Sequence, residues 1–209
     1  MNWLYRRYIK RWIDFVAALA ALIVLSPLML IISLCVRIDV GTPVMFRQQR
    51  IGLNEREFTM YKFRTMREET DEWGRMLPDE ERVTKIGAFL RSSGLDELPE
   101  LFNILRGDLS IVGPRPLLVE YLPYYTQEER LRHTVRGGLT QPEVLYGKAL
   151  PTWDEQLGYE VEYAKNLSFF MDVRIILKTV KILFVRVNDH YGETSRKTLI
   201  EERASKVVR

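Results

Sequence analysis

Residues 94–116 read GLDELPELFNILRGDLSIVGPRP, and the strongest chemical signals of the chain stand at the two ends of this segment. Two adjacent carboxylates, Asp96 and Glu97, lie near its start, and Arg115 lies between two prolines at its end. A carboxylate pair suits metal binding and covalent catalysis. An arginine held by prolines suits phosphate recognition, because its planar fork of donors matches phosphate oxygens. The segment therefore points to phosphoryl transfer.

The same segment predicts a helix from about Asp96 to Leu105. Pro99 is tolerated only in the first turn of a helix, and Gly107 is typical of a residue that ends one. Asp96 and Glu97 would then lie at a helix N-terminus, where free N–H groups and the helix dipole favour a phosphate. The simpler alternative is that Asp96 only caps the helix.

The composition is that of a globular protein. The chain has 209 residues, of which 46% are hydrophobic and 28% are charged, so it is not a disordered chain. A net charge of +3 gives no argument for a nucleic-acid partner. The single cysteine, Cys35, excludes a disulfide framework within the chain, which fits a reducing compartment.

The N-terminal region predicts a membrane segment. Residues 15–36 carry no charge and, as a helix, would be roughly 33 Å long, enough for a hydrocarbon core of about 30 Å. A cleaved signal peptide, a straight transmembrane helix and a re-entrant helix are all compatible with this run. Ser26-Pro27 favours the third, because Pro27 removes a helix hydrogen bond and Ser26 can return one to the freed carbonyl. Basic and aromatic residues typical of interface anchors precede the run: Trp3, Tyr5, Arg6, Arg7, Tyr8, Lys10, Arg11 and Trp12.

The central and C-terminal regions predict a hairpin and several helices. Residues 43–49 and 57–64 read as strands around a turn at Gly52-Leu53-Asn54, with Lys62 and Arg64 on one face of the second strand. Helices are predicted over residues 79–92 and, for the most part, 117–136. Residues 169–187 predict an amphipathic helix, which suits a core helix or a helix on a membrane surface. Its apolar stripe is Phe170, Val173, Leu177, Val180 and Phe184, and its basic face is Arg174, Lys178 and Lys181.

Residues 95–116 closely resemble the signature of the bacterial sugar transferases, the monotopic polyprenyl-phosphate phosphoglycosyl transferases. The resemblance covers residues 5–187 and looks like the minimal, single-domain form of the family. Further matching segments are Ser26-Pro27, Gln49 to Gly52, Tyr61 to Met66, Gly87 to Arg91, Arg132 to Arg136 and Asn166 to Ser168.

The resemblance implies a reaction and a set of roles. A UDP-sugar would give its sugar-1-phosphate to polyprenyl (undecaprenyl) phosphate, leaving UMP, as the first membrane step of surface glycan assembly. Asp96 would be the nucleophile of a covalent phosphosugar intermediate and a ligand of Mg²⁺. Glu97 would help to hold the Mg²⁺ or would manage a proton. Lys62, Arg91 and Arg115 are the candidate phosphate ligands. Membrane lipid and downstream glycosyltransferases are implied partners, and nucleic acid is not. A non-catalytic homologue that acts as a scaffold is the alternative.

The predicted architecture is α+β, a mostly helical catalytic domain with a small β-hairpin or sheet. Residues 1–38 would form the basic N-terminus and a re-entrant membrane helix kinked at Ser26-Pro27, because a cytoplasmic N-terminus and a cytoplasmic nucleotide require both helix ends on one side. Residues 39–187, with the interfacial helix 169–187, would form the catalytic domain on the cytoplasmic face of the bacterial inner membrane. Residues 188–209 would be a polar tail.

One segment departs from the family pattern. After the Val-Arg pair, members carry a Pro-Gly-Ile/Leu-Thr-Gly-Trp-like run, whereas residues 137–142 read GGLTQP; an Asn-Gly-Arg-like run is replaced by Tyr146-Gly147-Lys148. Loops at the mouth of a site often set specificity. Arg136, Gln141 and Lys148 are therefore candidates for donor recognition, and drift in a surface loop explains the change equally well. The sequence does not indicate which sugar is transferred.

Overall fold

The computed structural model describes residues 2–147, 151–186 and 196–207. It shows a mostly helical chain with two small sheets, as the sequence predicts. A π-helical segment, Tyr5–Ile9, connects the first two helices, and short 3-10 turns connect several later elements. The helices and strands in chain order are α1 (Asn2–Leu4), α2 (Lys10–Asp39), β1 (Met45–Ile51), β2 (Glu57–Phe63), α3 (Asp79–Arg82), α4 (Lys85–Ser93), α5 (Glu100–Arg106), β3 (Leu109–Val112), β4 (Gly137–Thr140), α6 (Trp153–Asn166), α7 (Phe169–Arg186) and α8 (Leu199–Val207).

Each sheet has two strands. The predicted hairpin is confirmed: β1 and β2 pair antiparallel, with Met45 opposite Phe63. The second sheet pairs β3 with β4 in parallel, and the sequence analysis did not predict it. In this sheet β4 lies so close to the residue that follows β3 that a Cβ on Gly138 would lie 2.0 Å from the amide nitrogen of Gly113. Residue 138 must therefore be glycine.

Helix α2 is the long apolar element. Together with the π-helical segment it covers Tyr5–Asp39 and is long and apolar enough to cross a membrane. It continues through Pro27. The hydroxyl of Ser26 donates a 2.9 Å hydrogen bond to the carbonyl of Ile23, the group that the missing N–H of residue 27 would otherwise bind. The predicted compensation at Ser26-Pro27 is confirmed.

Both halves of α2 pack against the same body. In the first half, Ala18 is buried with Leu101 and Ile104 of α5. In the second half, Val36 is buried with Phe63 of β2 and, in the same cluster, Leu90 of α4. Between these contacts the helix exposes large apolar side chains, among them Ile23, Val24, Leu30 and Ile31.

Most of the basic residues predicted as interface anchors instead bind the protein. Lys10 forms a buried 2.7 Å ion pair with Asp172 of α7, whose carboxylate also accepts hydrogen bonds from Tyr5 and Tyr163. Arg6 donates to the carbonyls of Ala164 and Thr134, and Arg11 to those of Ile104 and Leu105. The sequence analysis did not predict these protein contacts, in which a buried carboxylate and helix-end carbonyls bind the three side chains. Arg7 remains exposed, beside Trp3 and Tyr8.

Three further segments differ from the sequence-based expectation. The helix predicted over residues 79–92 is divided into α3 and α4, because Thr84 adopts an extended conformation and caps α4 by accepting a hydrogen bond from Gly87 N. The helix predicted over 117–136 is wrong; two 3-10 segments, Val119–Tyr124 and Glu129–Thr134, stand there, the first with Pro123 inside it. Within the predicted tail 188–209, α8 buries Leu199 beside Trp153. Residues 188–195 and 208–209 of that prediction lie outside the described residues.

Candidate active site

Asp96 and Glu97 lie in a tight connection between two helices. Gly94, with φ of 70°, ends α4, and Leu95–Glu97 form a 3-10 turn. The predicted helix start at Asp96 is wrong, because α5 begins only at Glu100, after Pro99. No side-chain hydrogen bond caps either the turn or α5, so Asp96 is not a helix cap. Gly107 ends α5 in the left-handed conformation, as predicted.

The carboxylate of Asp96 is nearly enclosed. Asp96 is only 9% exposed to solvent. Burial, reinforced by the neighbouring Glu97 carboxylate, raises the pKa of Asp96 to about 6, and the positive charges of Lys62 and Arg91 oppose that rise. At neutral pH the group is still mostly ionised, by roughly ten to one.

Strand β2 brings Lys62 to the carboxylates. Its ammonium group forms a close ion pair with Glu97 and lies 3.4 Å from Oε1 of Glu100. Sequence reasoning missed Glu100, which is buried and whose pKa is raised by burial and by the Glu97 charge. Its spacing was the available signal: an acid three residues after Glu97 at the start of α5 lies on the same side of the chain as the dyad.

The side chain of Arg115 is exposed to solvent, while hydrogen bonds with buried side chains fix its backbone. The buried carboxylate of Glu160, on α6, accepts a 2.9 Å hydrogen bond from the amide of Arg115. Arg132, also buried, donates to the carbonyl of Arg115 and pairs with Glu160 at 2.6 Å. A buried ion pair therefore helps the two flanking prolines to fix the backbone of Arg115. The sequence analysis did not assign this pair to the site.

A second arginine, Arg50 at the end of β1, shares this region. Burial lowers the pKa of Arg50, and the positive charge of Arg115 lowers it further. The charge of Arg115 also acts on the carboxyl of Glu100. Arg91 lies at the end of α4, where its Nε donates to Thr65 at 2.9 Å. Three acids of one short segment therefore face several cations, an arrangement suited to a metal-bound diphosphate.

The donor-recognition candidates are placed unequally. The guanidinium of Arg136 donates a hydrogen bond to the carbonyl of Gly107. Burial and the charge of Arg11 lower the pKa of Arg136, and the charges of Asp14 and Asp108 oppose that change. Gln141 donates to the carbonyls of Gly138 and Leu139 in its own loop. Lys148 lies outside the described residues.

Glu143, in the altered segment, interacts electrostatically with Arg115. Burial and the Glu160 carboxylate raise the pKa of Glu143 to about 7, whereas Arg115 opposes that rise. Its Oε2 is buried and has no hydrogen-bond partner within the described part of the chain. Sequence reasoning missed it, although its position in the altered segment was the available signal.

The carboxylates fit Mg²⁺ only with help from a ligand. In residues 2–147, 151–186 and 196–207, no group of three or more His, Cys, Asp or Glu side chains is arranged to hold a metal ion. Mg²⁺ is commonly held by one or two carboxylates together with substrate phosphates. Asp96 and Glu97 match that pattern, because their mutual repulsion, part of the raised Asp96 pKa, would be relieved by a cation.

Comparison with known proteins gives a consistent set of matches. The sequence model described as "Bacterial sugar transferase" matches residues 5–186. The "Uncharacterized sugar transferase EpsL" of Bacillus subtilis (strain 168) is 45% identical over 85% of this chain and 88% of its own length. A UDP-N-acetylgalactosamine-undecaprenyl-phosphate N-acetylgalactosaminephosphotransferase of Aeromonas hydrophila is 36% identical over 84% of this chain but 44% of its own length.

A third relative, the UDP-glucose:undecaprenyl-phosphate glucose-1-phosphate transferase of Xanthomonas campestris pv. campestris, is 40% identical over 81% of this chain and 38% of its own length. The chain therefore spans most of the first relative and less than half of the other two.

Proposed function

Because this chain belongs to the bacterial sugar transferase family, we propose that it transfers a sugar-1-phosphate from a UDP-sugar to undecaprenyl phosphate, giving a polyprenyl-diphosphate sugar and UMP in glycan assembly. Two relatives bear names that state this class of reaction. One observation carries the proposal: a buried Asp96 and a half-buried Glu97 lie side by side among cations in the turn between α4 and α5.

Asp96 acts as the nucleophile. Its Oδ attacks the β-phosphorus of the donor, and the bond from that phosphorus to the bridging oxygen breaks, so that UMP leaves with the bridging oxygen. An oxygen of the polyprenyl phosphate then attacks the same phosphorus, and Asp96 departs as a carboxylate. A pKa of about 6 suits both steps, because the group is ionised at neutral pH without a general base and leaves without a proton.

The surrounding charges hold the phosphates. Arg115 offers a free fork of donors on a fixed backbone, while Lys62 and Arg91 balance the carboxylates. Mg²⁺, held by Asp96 and Glu97 with the donor phosphates, would supply neutralisation of the diphosphate charge. Glu143 sits beside Arg115 and is our candidate for donor discrimination in the altered segment.

The membrane arrangement follows from the contacts of α2. Its two halves pack on one body, which supports a helix that enters and leaves the membrane on the same side, with the exposed apolar residues around Pro27 in one leaflet. Helix α7 lies at the interface, because Phe170, Leu177 and Val180 are exposed while Ile175 is buried. The side chain of Phe184 is not described. The catalytic side faces the cytoplasm of the inner membrane, where nucleotide sugars are found.

The experiment is release of UMP from a panel of UDP-sugars, with undecaprenyl phosphate, Mg²⁺ and the purified chain in detergent. Asp96→Asn should reduce turnover at least a thousandfold while the protein still fractionates with membranes, because the amide cannot form the acyl phosphate. Asp79→Asn removes an exposed carboxylate on α3 and is the matched control, expected to keep full turnover.

The intermediate is tested separately. Donor without acceptor should leave a phosphosugar on the peptide that contains Asp96, detected by mass spectrometry after rapid quenching. An adduct on any other residue contradicts the assignment of the nucleophile. Absence of UMP release with every donor would instead favour a non-catalytic homologue that scaffolds glycan assembly.

A further inference from the structure

A cavity lies away from the carboxylates, between the start of α2 and the segment that leads into β4. Its volume is about 330 Å³. Five of its lining residues are cationic and one is acidic: Arg6, Arg7, Lys10, Arg11, Arg136 and Asp14. Asp96, Glu97, Lys62 and Arg115 do not line it, so it is a separate site.

Protein acids balance the positive charges of this cavity only in part, since five cations and one acid line it and Asp108 adds a second negative charge near Arg136. Lys10 is paired with Asp172. Asp14 is committed to the protein, since its two oxygens accept hydrogen bonds from Ser110 Oγ at 2.7 Å and Ile111 N at 3.2 Å. Arg6, Arg11 and Arg136 donate to backbone carbonyls, and a neutral carbonyl orients a guanidinium without cancelling its charge. Arg7 is exposed, and its Nε donates to the hydroxyl of Tyr8 at 3.3 Å.

Arg11 and Arg136 are held in place before any ligand arrives. Arg11 donates to the carbonyls at the C-terminal end of α5, at 2.6 and 2.8 Å, and Arg136 donates to Gly107 O at 2.8 Å. The two guanidinium groups are close enough that Arg11, after burial, lowers the pKa of Arg136. Like charges fixed this close together favour a bound anion.

The position of the cavity selects the kind of anion. Trp3 lines it and is 66% exposed, and Trp12 of α2 is also exposed, which is the pattern of aromatic residues at a membrane–water boundary. Apolar α2 begins at the same place. The volume is at the lower end of small-ligand sites, which run from about 300 to 1,000 Å³, and suits a headgroup.

We propose that this cavity binds the phosphate of a membrane lipid headgroup through Arg7, Arg11 and Arg136. Two lipids carry that chemistry, an anionic glycerophospholipid and a polyprenyl phosphate. The site fixes the start of α2 against the lipid surface, with the headgroup in the cavity and the acyl chains beside the exposed apolar side chains of the helix. The proposal rests on the cavity and its charges and does not require the proposed transferase activity.

The test is native mass spectrometry of the full chain, delipidated in neutral detergent and titrated separately with phosphatidylglycerol, phosphatidylcholine, undecaprenyl phosphate and inorganic phosphate. We expect one retained lipid that bears an anionic phosphate, and weaker retention by about tenfold or more in Arg7→Gln and in Arg7→Gln/Arg136→Gln. Arg7 is exposed, so the single variant removes a charge without opening the core. Arg75→Gln, which removes an exposed arginine that does not line the cavity, is the control for general electrostatics.

Each outcome counts for or against the site. Variant-sensitive retention of either anionic lipid supports it, and the arm that responds identifies the source of the phosphate. Equal retention of phosphatidylcholine, an equal loss in Arg75→Gln, or binding of inorganic phosphate with neither anionic lipid retained would overturn it. Thermal melting of the double variant separates loss of lipid from loss of fold, and the single variant alone is sufficient to reject the proposal.

Discussion

Replacing Asp96 by asparagine should stabilise the protein at neutral pH. The carboxyl of Asp96 is 9% exposed, and its pKa is raised from 3.8 to about 6 by burial and by Glu97. Asparagine has nearly the shape of the neutral acid and carries no charge. The variant therefore removes the cost of burying an ionised group and keeps the packing.

The sign and size follow from linkage. A carboxyl with a raised pKa in the folded state ionises more readily in the unfolded chain. Its ionisation therefore lowers the free energy of unfolding as pH rises from about 4 through 6. The shift of roughly two pKa units corresponds to about 3 kcal/mol above pH 7. For a chain of this size, 3 kcal/mol is a rise in Tm of about 6 to 12 °C.

The assay is thermal unfolding of the wild type and of Asp96→Asn in one detergent at pH 4.5, 6 and 8. We expect the gain in Tm to be largest at pH 8 and to fall to about a third of that value at pH 4.5, where roughly 1 kcal/mol of the difference remains. Asp79→Asn, which removes an exposed carboxylate, should change Tm little at any pH. A variant that is no more stable than the wild type at pH 8, or a gain that does not depend on pH, would refute a buried and ionised Asp96.

Two further predictions concern the support of the site and the membrane segment. Glu160→Gln leaves Arg132 buried without its counter-charge, so we expect the free energy of unfolding, measured by denaturant titration, to fall by about 3 kcal/mol. We also expect a higher KM for the UDP-sugar, because Glu160 holds the backbone of Arg115. An unchanged KM would show that this backbone needs no such support. The proposed re-entrant helix is tested by two cysteine variants, Asn2→Cys and Thr42→Cys, each made together with Cys35→Ser. Both new cysteines should react with an impermeant maleimide from the same side of oriented vesicles. Labelling from opposite sides would establish a spanning helix.

The sequence was most informative where the signal was local. The end of α5 at Gly107, the hairpin of β1 and β2, and the hydrogen bond from Ser26 all follow from the chemistry of a few neighbouring residues. The start of α5 was misplaced at Asp96, because Pro99 is compatible with the first turn of a helix and with the residue before one.

The remaining features depend on partners far away in the chain. The parallel pairing of β3 with β4 joins segments separated by the two 3-10 segments, and neither strand has a distinctive pattern of its own. Basic residues before an apolar helix have the same composition whether they meet lipid phosphates or protein carbonyls. Arg6 and Arg11 were therefore read as anchors, although both bind carbonyls of the folded domain. The pair of Arg132 and Glu160 carries no local signal either.

The ion pair between Lys10 and Asp172 sets an order of events during synthesis. The two residues are separated by 162 positions, and Tyr5 awaits the same carboxylate. At about 5 to 20 residues per second, the ribosome needs about 8 to 30 s to reach Asp172 after it has made Lys10. In the membrane arrangement proposed above, helix α2 would meet the lipid bilayer before Asp172 has been made. The domain would then be assembled around a segment already in the membrane, and the last helices would fix it in place.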